Sequence, residues 1–268
     1  MNTSQIHPTA IIEDGAIIGD GTFVGPYCCI GPKVKLGKDC RLISHVSLAG
    51  DITIGDRATI YPFASLGHPP QDLKYHGEAS STIIGTDATI REYVTIHPGT
   101  ETGCMLTEVG DHCLLMVGAH IAHDCRVGNH VILANNVALA GHVTVEDHAI
   151  IGGLSAVHQF VRIGKHAIIG GMSAVEKDVI PYGTVMGERA SLQGLNIIGL
   201  RRRGFSAKSI QQLMNIYTQL FGVNQDETLA KRIEKLSLDS HHYGPEVLYL
   251  IDFIKADSKR PLCLPKLA

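Results

Sequence analysis

His123 stands beside Asp124, with His120 three residues before it, and Gly141 and His142 lie eighteen and nineteen residues beyond it. A histidine next to a carboxylate is the pair that takes a proton from a hydroxyl, because an unperturbed imidazole titrates at about pH 6.5 and a carboxylate can orient it. A glycine offers a backbone N–H with no side chain in the way, the kind of donor that meets a developing oxyanion. His123 with Asp124 is therefore the candidate base and Gly141 the candidate oxyanion donor. The pairing requires a scaffold that brings residues eighteen apart into contact.

The same stretch describes that scaffold. Branched aliphatics recur every sixth residue, at Ile121, Val127, Leu133 and Leu139. A period of six fits neither a helix nor a plain strand. It fits a β-solenoid in which each hexapeptide makes a short strand and a turn, and eighteen residues make one triangular coil. Residues eighteen apart are then stacked at about 4.8 Å, as in any sheet, and His123 lies over Gly141. The ladder starts at Ile6 and runs without a miss to Leu66, resumes at Ile84, Ile90 and Ile96, breaks over 97–108, and returns one residue out of phase from Val109 to Val175. Nine or ten coils follow, a prism roughly 45 Å long. Two residues before each aliphatic comes a second inward position, small or β-branched, which takes Cys28, Cys40, Cys113 and Cys125 as buried hydrophobes. Glycine often follows the aliphatic, as at Gly19, Gly25 and Gly37, read as tight-turn positions.

Composition agrees: 268 residues with 5% aromatic, no Trp and 29 Gly suit a narrow core of small aliphatics. A net charge of -3 without runs of like charge speaks against a nucleic-acid surface. Seven cysteines without a C-x-x-C make no disulfide framework. The first residues have neither a basic nor an apolar leader region and no window nears eighteen apolar residues, so a cytoplasmic chain is expected. Between Leu66 and Ile84 the ladder gives way to a polar, Pro-rich loop carrying Gln71, Asp72, Lys74 and His76, and loops of this length are usually functional. Past Pro181 the period turns helical. Ile210, Leu213, Met214, Tyr217, Leu220 and Phe221 follow an N-cap at Ser206, a second helix spans 227–236, and a third follows Pro245 with Val247, Leu248, Ile251 and Ile254 on one face. The expectation is a mainly β chain: a parallel β-helix over 1–190 and an α-helical unit over 191–268 that caps one end of it.

The segments I-H-P-T-A-I-I, Q-D-L-K-Y-H-G, H-I-A-H-D-C, L-A-N-N-V-A-L-A-G-H-V, G-G-L-S-A-V-H-Q-F and G-L-R-R-R-G-F resemble the UDP-N-acetylglucosamine 3-O-acyltransferases of lipid A biosynthesis, left-handed parallel β-helix enzymes, over essentially the whole chain. The resemblance implies transfer of a 3-hydroxyacyl chain from acyl carrier protein to UDP-N-acetylglucosamine, by a homotrimer with active sites between neighbouring solenoids and with no cofactor or metal. It assigns His123, Asp124 and Gly141 to catalysis. Gln71, Asp72, Lys74, His120, His142, His158, Gln159, Asn196, Arg202 and Arg203 fall to substrate binding. Arg202 and Arg203 would also lie near an acidic carrier protein. Gly171 matches the position that limits acyl reach. Gly152-Gly153 and Gly170-Gly171 are eighteen apart and would leave a strip free of side chains, which favours a longer donor of the myristoyl kind. His130, His148 and His166 read as surface or structural residues.

Two other readings share parts of this pattern. A γ-class carbonic anhydrase-like zinc enzyme would use His120, His123 and His142, although the offset of His123 from His142 and the Q-D-L-K loop argue against it. The related sugar-nucleotide N-acyltransferase would carry a different N-terminal domain, and here the repeat begins at Ile6.

Overall fold

Strands of two residues dominate the computed structural model, which describes residues 4–222, 227–238 and 240–266. Each strand takes one outward residue and then one inward aliphatic, as in Thr59–Ile60, Leu114–Leu115 and His120–Ile121. Every third strand pairs in parallel with its counterpart, which gives three sheets of eleven, nine and eight strands. Where the stack is uninterrupted, partners are eighteen residues apart: Leu114 with Ile132 on the first face, Ala138 with Ala156 on the second, Arg126 with Thr144 on the third. This is the expected triangular solenoid, with strand counts that fit nine or ten coils.

The core is a stack of inward aliphatics. Ile60, Ile90, Leu115, Leu133 and Ile151 are all at 0% exposure, each such side chain contributing about 1.5–3 kcal/mol by leaving water. Cys28, Cys40, Cys113 and Cys125 occupy the second inward position and are buried, as read. Burial pushes the Cys113 thiol up to about 11 and the Cys125 thiol up to about 12, so both are inert. At the other extreme the first coil is open: Ile6 is 48% exposed although it sits at an inward position.

The corners correct one expectation. Gly19, Gly25 and Gly37 are not there for backbone freedom, since none has a positive φ and the left-handed turn positions belong to Tyr27, Asp39, His45, Arg57 and their counterparts higher up the stack. Gly19 is needed for a different reason: a Cβ there would come within 2.3 Å of the Gly37 carbonyl oxygen of the next coil. The left-handed residues stack in columns. His112, His130, His148 and His166 form one, with ring centroids 4.7–4.8 Å apart, which is the structural role read for the last three.

Register jumps twice. Ser81 pairs with Asp51 and Leu106 with Ser81, separations of thirty and twenty-five residues, so both breaks in the ladder are insertions hung on a continuous stack. At the exit, Gly183–Met186 closes the parallel run and Ser191–Leu195 folds back on it antiparallel. Four helices follow: α1 (Ile197–Arg202), α2 (Ala207–Phe221), α3 (Leu229–Leu238) and α4 (Pro245–Lys255). Ser206 caps α2 by accepting the Ser209 N–H at 3.0 Å. The buried face of α2 is Ile210, Leu213, Ile216 and Leu220, while Met214, expected inside, is 42% exposed. On α4 the buried residues are Val247, Leu250, Ile251 and Phe253, and Leu248 is turned outward. The short α1 has too few turns to show a period and was not foreseen. No helix among the described residues is long and apolar enough to cross a membrane.

Candidate active site

His123 and Asp124 form the corner after the strand His120–Ile121, with Asp124 at a left-handed position (φ 58) and the two residues only 7% and 4% exposed. The His123 Nδ1 lies 2.8 Å from Asp124 Oδ2. A carboxylate can only accept, so the proton of this bond sits on Nδ1, and in the neutral ring Nε2 is the bare nitrogen, on the cleft. Asp124 is itself held. Thr100 Oγ1 donates to Oδ2 at 2.6 Å, the Thr100 and Cys104 amides donate to Oδ1 at 3.1 and 2.8 Å, and Asp124 N–H donates to Thr107 Oγ1 at 2.8 Å. Burial alone would raise this carboxyl, but the hydrogen bonds from Thr100, His123 and Cys104 outweigh it and hold Asp124 below its ordinary value.

The second insertion supplies this clasp. Thr100, Cys104 and Thr107 escaped the sequence reading, whose only signal for them was the one-residue slip of the ladder over 97–108. Gly103 fits the same loop against the carboxylate, since a Cβ there would come within 2.2 Å of Asp124 Cγ.

Gly141 lies against His123 as expected. A Cβ on it would fall 2.5 Å from His123 Cε1 and 2.6 Å from Nε2, so only glycine leaves the imidazole in place. Its carbonyl accepts from Phe160 at 3.2 Å, whereas its amide donates to no group among the described residues. Asp72, from the first insertion, brings Oδ2 to 3.8 Å from His123 Nε2. A cleft of about 320 Å³ here is lined by Gln71, His97, His120, His123, Gly141 and Gln159, with Ala138 and Ala156 forming its floor.

Burial lowers the pKa of the surrounding histidines and so favours their neutral forms. His120 Nδ1 bonds Thr95 Oγ1 at 2.7 Å, and burial, then the nearby His123, lowers its pKa. His97, not foreseen, packs edge-on against His120 with centroids 5.0 Å apart and is pushed down to about 4, chiefly by burial. His142 stacks on Phe160 at 4.4 Å and crosses His123 at 88°, its pKa lowered by burial first. His123, Asp124 and His142 bring their ligand atoms within 4.8 Å of one another, close enough on distance alone for a metal ion. The Asp124 oxygens are already committed to four donors, and His123 Nδ1 to Asp124. The cluster is therefore organised as a hydrogen-bonded base.

The remaining candidates do not all reach this cleft. His158 stands exposed at its rim beside Gln159, and Lys74 is exposed on the first insertion with its amide donating to Asp72 Oδ1 at 3.0 Å. Asn196, Arg202 and Arg203 line a different, mainly apolar cavity of about 780 Å³ with Ile150, Ile168 and Ile198. Asn196 caps α1, its Oδ1 accepting from Gly199 at 3.1 Å and its Nδ2 donating to the His166 carbonyl at 3.0 Å. Arg203 Nη2 donates to the His148 carbonyl at 3.1 Å, and Arg202 is exposed. Gly171 stacks on Gly153, where a Cβ would meet the Gly153 carbonyl oxygen at 3.3 Å.

A triangular solenoid of stacked hexapeptides, with His123 set against a glycine corner, is the architecture of the hexapeptide-repeat transferases, and the model of the bacterial transferase hexapeptide matches residues 107–141. The model described as UDP-N-acetylglucosamine O-acyltransferase, domain 2, matches residues 178–263. Curated proteins named acyl-[acyl-carrier-protein]--UDP-N-acetylglucosamine O-acyltransferase include one from Rickettsia rickettsii, 57% identical with 98% of each chain covered, and one from Caulobacter vibrioides, 51% identical with 97% of this chain and 98% of the relative covered. The solved UDP-N-acetylglucosamine acyltransferase of Francisella novicida superposes with a TM-score of 0.93 at 35% identity, covering 98% of this chain and 94% of that one. The chain belongs to the UDP-N-acetylglucosamine O-acyltransferase family, left-handed parallel β-helix enzymes. These relatives support neither the zinc-enzyme nor the N-acyltransferase reading.

Proposed function

We propose that this chain moves a 3-hydroxyacyl group from the thioester of acyl carrier protein to the 3-hydroxyl of UDP-N-acetylglucosamine, the first step of lipid A biosynthesis. The observation that carries the reading is the His123 ring, pinned through Nδ1 by Asp124, in a cleft that Gly141 lines directly beside it. In this mechanism Nε2 takes the proton from the sugar hydroxyl as its oxygen attacks the thioester carbonyl. The tetrahedral oxyanion meets the Gly141 N–H. Collapse breaks the C–S bond, and the departing thiolate takes the proton back from the imidazolium. No acyl-enzyme is needed, and Asp124 stays ionised throughout.

Gln71, Asp72, Lys74, His120, His142, His158 and Gln159 are assigned to binding around this centre. Asn196, Arg202 and Arg203 are assigned to binding from the second cavity, and that assignment requires a neighbour. Two cavities of one chain become one site if protomers pack so that the second cavity of one faces the cleft of the next. A homotrimer of this kind is supported by the outward row Leu114, Ile132, Ile150 and Ile168, half-exposed apolar residues on one face, and by Leu73, fully exposed at 102% on the first insertion. Residues 1–190 are then the acyltransferase solenoid and 191–268 the helical unit, working in the cytoplasm. The acyl chain is assigned to the strip of Ala138, Ala156 and Ala174, which pair along the second face beside Gly153 and Gly171. The test is an acyl-transfer assay with UDP-N-acetylglucosamine and a panel of 3-hydroxyacyl carrier proteins. Turnover with a 3-hydroxymyristoyl donor supports the reading, and absence of transfer from every donor overturns it.

A further inference from the structure

The end of the chain reaches back to the cleft. Beyond α4 the segment is pinned to the solenoid exit: Asp178 N–H donates to the Pro261 carbonyl at 2.9 Å, Cys263 N–H to the Asp178 carbonyl at 2.7 Å, and Leu192 N–H to the Leu264 carbonyl at 3.1 Å. The Asp178 carboxylate, at 0% exposure, receives Arg162 N–H at 2.8 Å and Nε at 2.7 Å. Arg260 is thereby carried to the rim of the site. Its Nε donates to the Gln159 carbonyl at 2.8 Å and its Nη2 lies 2.5 Å from His158 Nδ1. Lys259 sits 4.1 Å over the Phe160 ring, which stacks on His142. The turn His158–Phe160 is gripped on both sides by this one segment.

A guanidinium has protons to give and no lone pair to offer. In the Arg260 contact, His158 Nδ1 must therefore be the bare nitrogen, and the neutral ring carries its proton on Nε2. Among the described residues the other partner of Nδ1 is the Gln159 carbonyl, 3.4 Å away, which also accepts from Arg260 Nε at 2.8 Å.

We propose that Arg260 is a positioning residue: it fixes the orientation and tautomer of His158 so that Nε2–H is presented to the sugar-nucleotide acceptor as a permanent hydrogen-bond donor. This rests on the assignment of His158 to substrate binding. A hydroxyl- and phosphoryl-rich acceptor needs donors, and a free exposed imidazole would share its proton between both nitrogens and both ring flips. Arg260 removes that freedom before substrate arrives.

Steady-state kinetics of Arg260→Met, Arg260→Lys, His158→Ala and the Arg260→Met/His158→Ala double variant test this. Arg260→Met keeps the stem and loses the donors. The expected result is a KM for UDP-N-acetylglucosamine raised about tenfold, the size of one hydrogen bond, with kcat and melting temperature nearly unchanged and partial rescue in Arg260→Lys. His158→Ala raises KM at least as much, and adding Arg260→Met to it changes nothing further. In 15N-histidine spectra the His158 signal moves from the Nε2–H form to a mixture when Arg260 is replaced. If Arg260→Met leaves KM unchanged while His158→Ala raises it, or if the two effects multiply, Arg260 does not act through His158 and the proposal falls. If His158→Ala itself leaves KM unchanged, the substrate role of His158 falls, and the role of Arg260 with it.

Discussion

At Gly141 a single hydrogen atom decides whether the proposed base, His123, stands in place. Gly141→Ala would put a methyl group 2.5–2.6 Å from the His123 ring, and the ring must swing away from the cleft. The expected outcome is a kcat lower by about 10²-fold or more, with a melting temperature within a few degrees of the parent, read by saturating kinetics beside calorimetry. His166 gives a different residue-scale prediction. Burial, then His148 and Arg203, push its pKa down to about 4 from the ordinary 6.5, and its Nδ1 is buried without a partner among the described residues. The unfolded chain takes up this proton at about pH 6.5 and the folded one only near 4, so the neutral ring stabilises the fold above pH 6.5. That stability is lost as pH falls through the window down to 4. His166→Phe keeps the stack and removes the titration, and the fall in melting temperature between pH 6.5 and 4 should become shallower. The juxtaposition of His123, Asp124 and Gly141 was legible in the sequence because eighteen-residue stacking is a fixed consequence of the period. His97 was not, because it lies at the first residue of a break, where the period assigns no position.

At the scale of elements, the two insertions do what the regular coils cannot. A hexapeptide corner presents one side chain to solvent, and it takes Thr100 and Cys104, from outside the repeat, to surround Asp124 with donors. Thr100→Val removes the 2.6 Å hydroxyl bond and lets the Asp124 carboxyl rise toward its ordinary value. The acid limb of the kcat/KM profile is then expected to move to higher pH, with a several-fold lower plateau; an unmoved limb would mean the clasp does not tune the base. The glycine strip makes its prediction on the second face. A Cβ at Gly171 comes no closer than 3.3 Å to a neighbour, the Gly153 carbonyl oxygen, so Gly171→Met is expected to fold with a small shift. Its thioether would then lie across the proposed acyl path, and preference should move to donors several carbons shorter, each methylene left unburied costing about 0.8 kcal/mol. An unchanged chain-length profile rules this position out as the ruler. The ladder itself was readable because a two-residue strand has no choice but to alternate outward and inward. The left-handed corners were not, because Tyr27, His45 and Phe63 hold φ values that glycine would be expected to take, stabilised by stacking on one another at 5.0 Å.

Over the whole molecule the two ends of the solenoid are treated differently. The exit is bound by the strand Ser191–Leu195, by the helices and by the returning tail, which Asp178 ties to Arg162 and Cys263. Long-range contacts of this kind leave no periodic trace, so the pairing of residues 158 and 260 could not be read from the chain. Among the described residues the entry end shows no comparable cover: Ile6 is half in water and Ile12 and Ile18 are only partly covered, whereas Val24, one coil on, is at 0% exposure. In a stack where each coil touches only its neighbours, local stability is a sum of neighbour terms, and a coil with one neighbour opens first. Within the described residues, opening is therefore expected to start at the thinly covered entry coil. Amide hydrogen exchange is expected to run as a gradient, fastest through residues 5–18 and slowing coil by coil toward the His123 corner. Damage or heat at the entry end would then be absorbed as fraying, several coils before it reached the reacting groups.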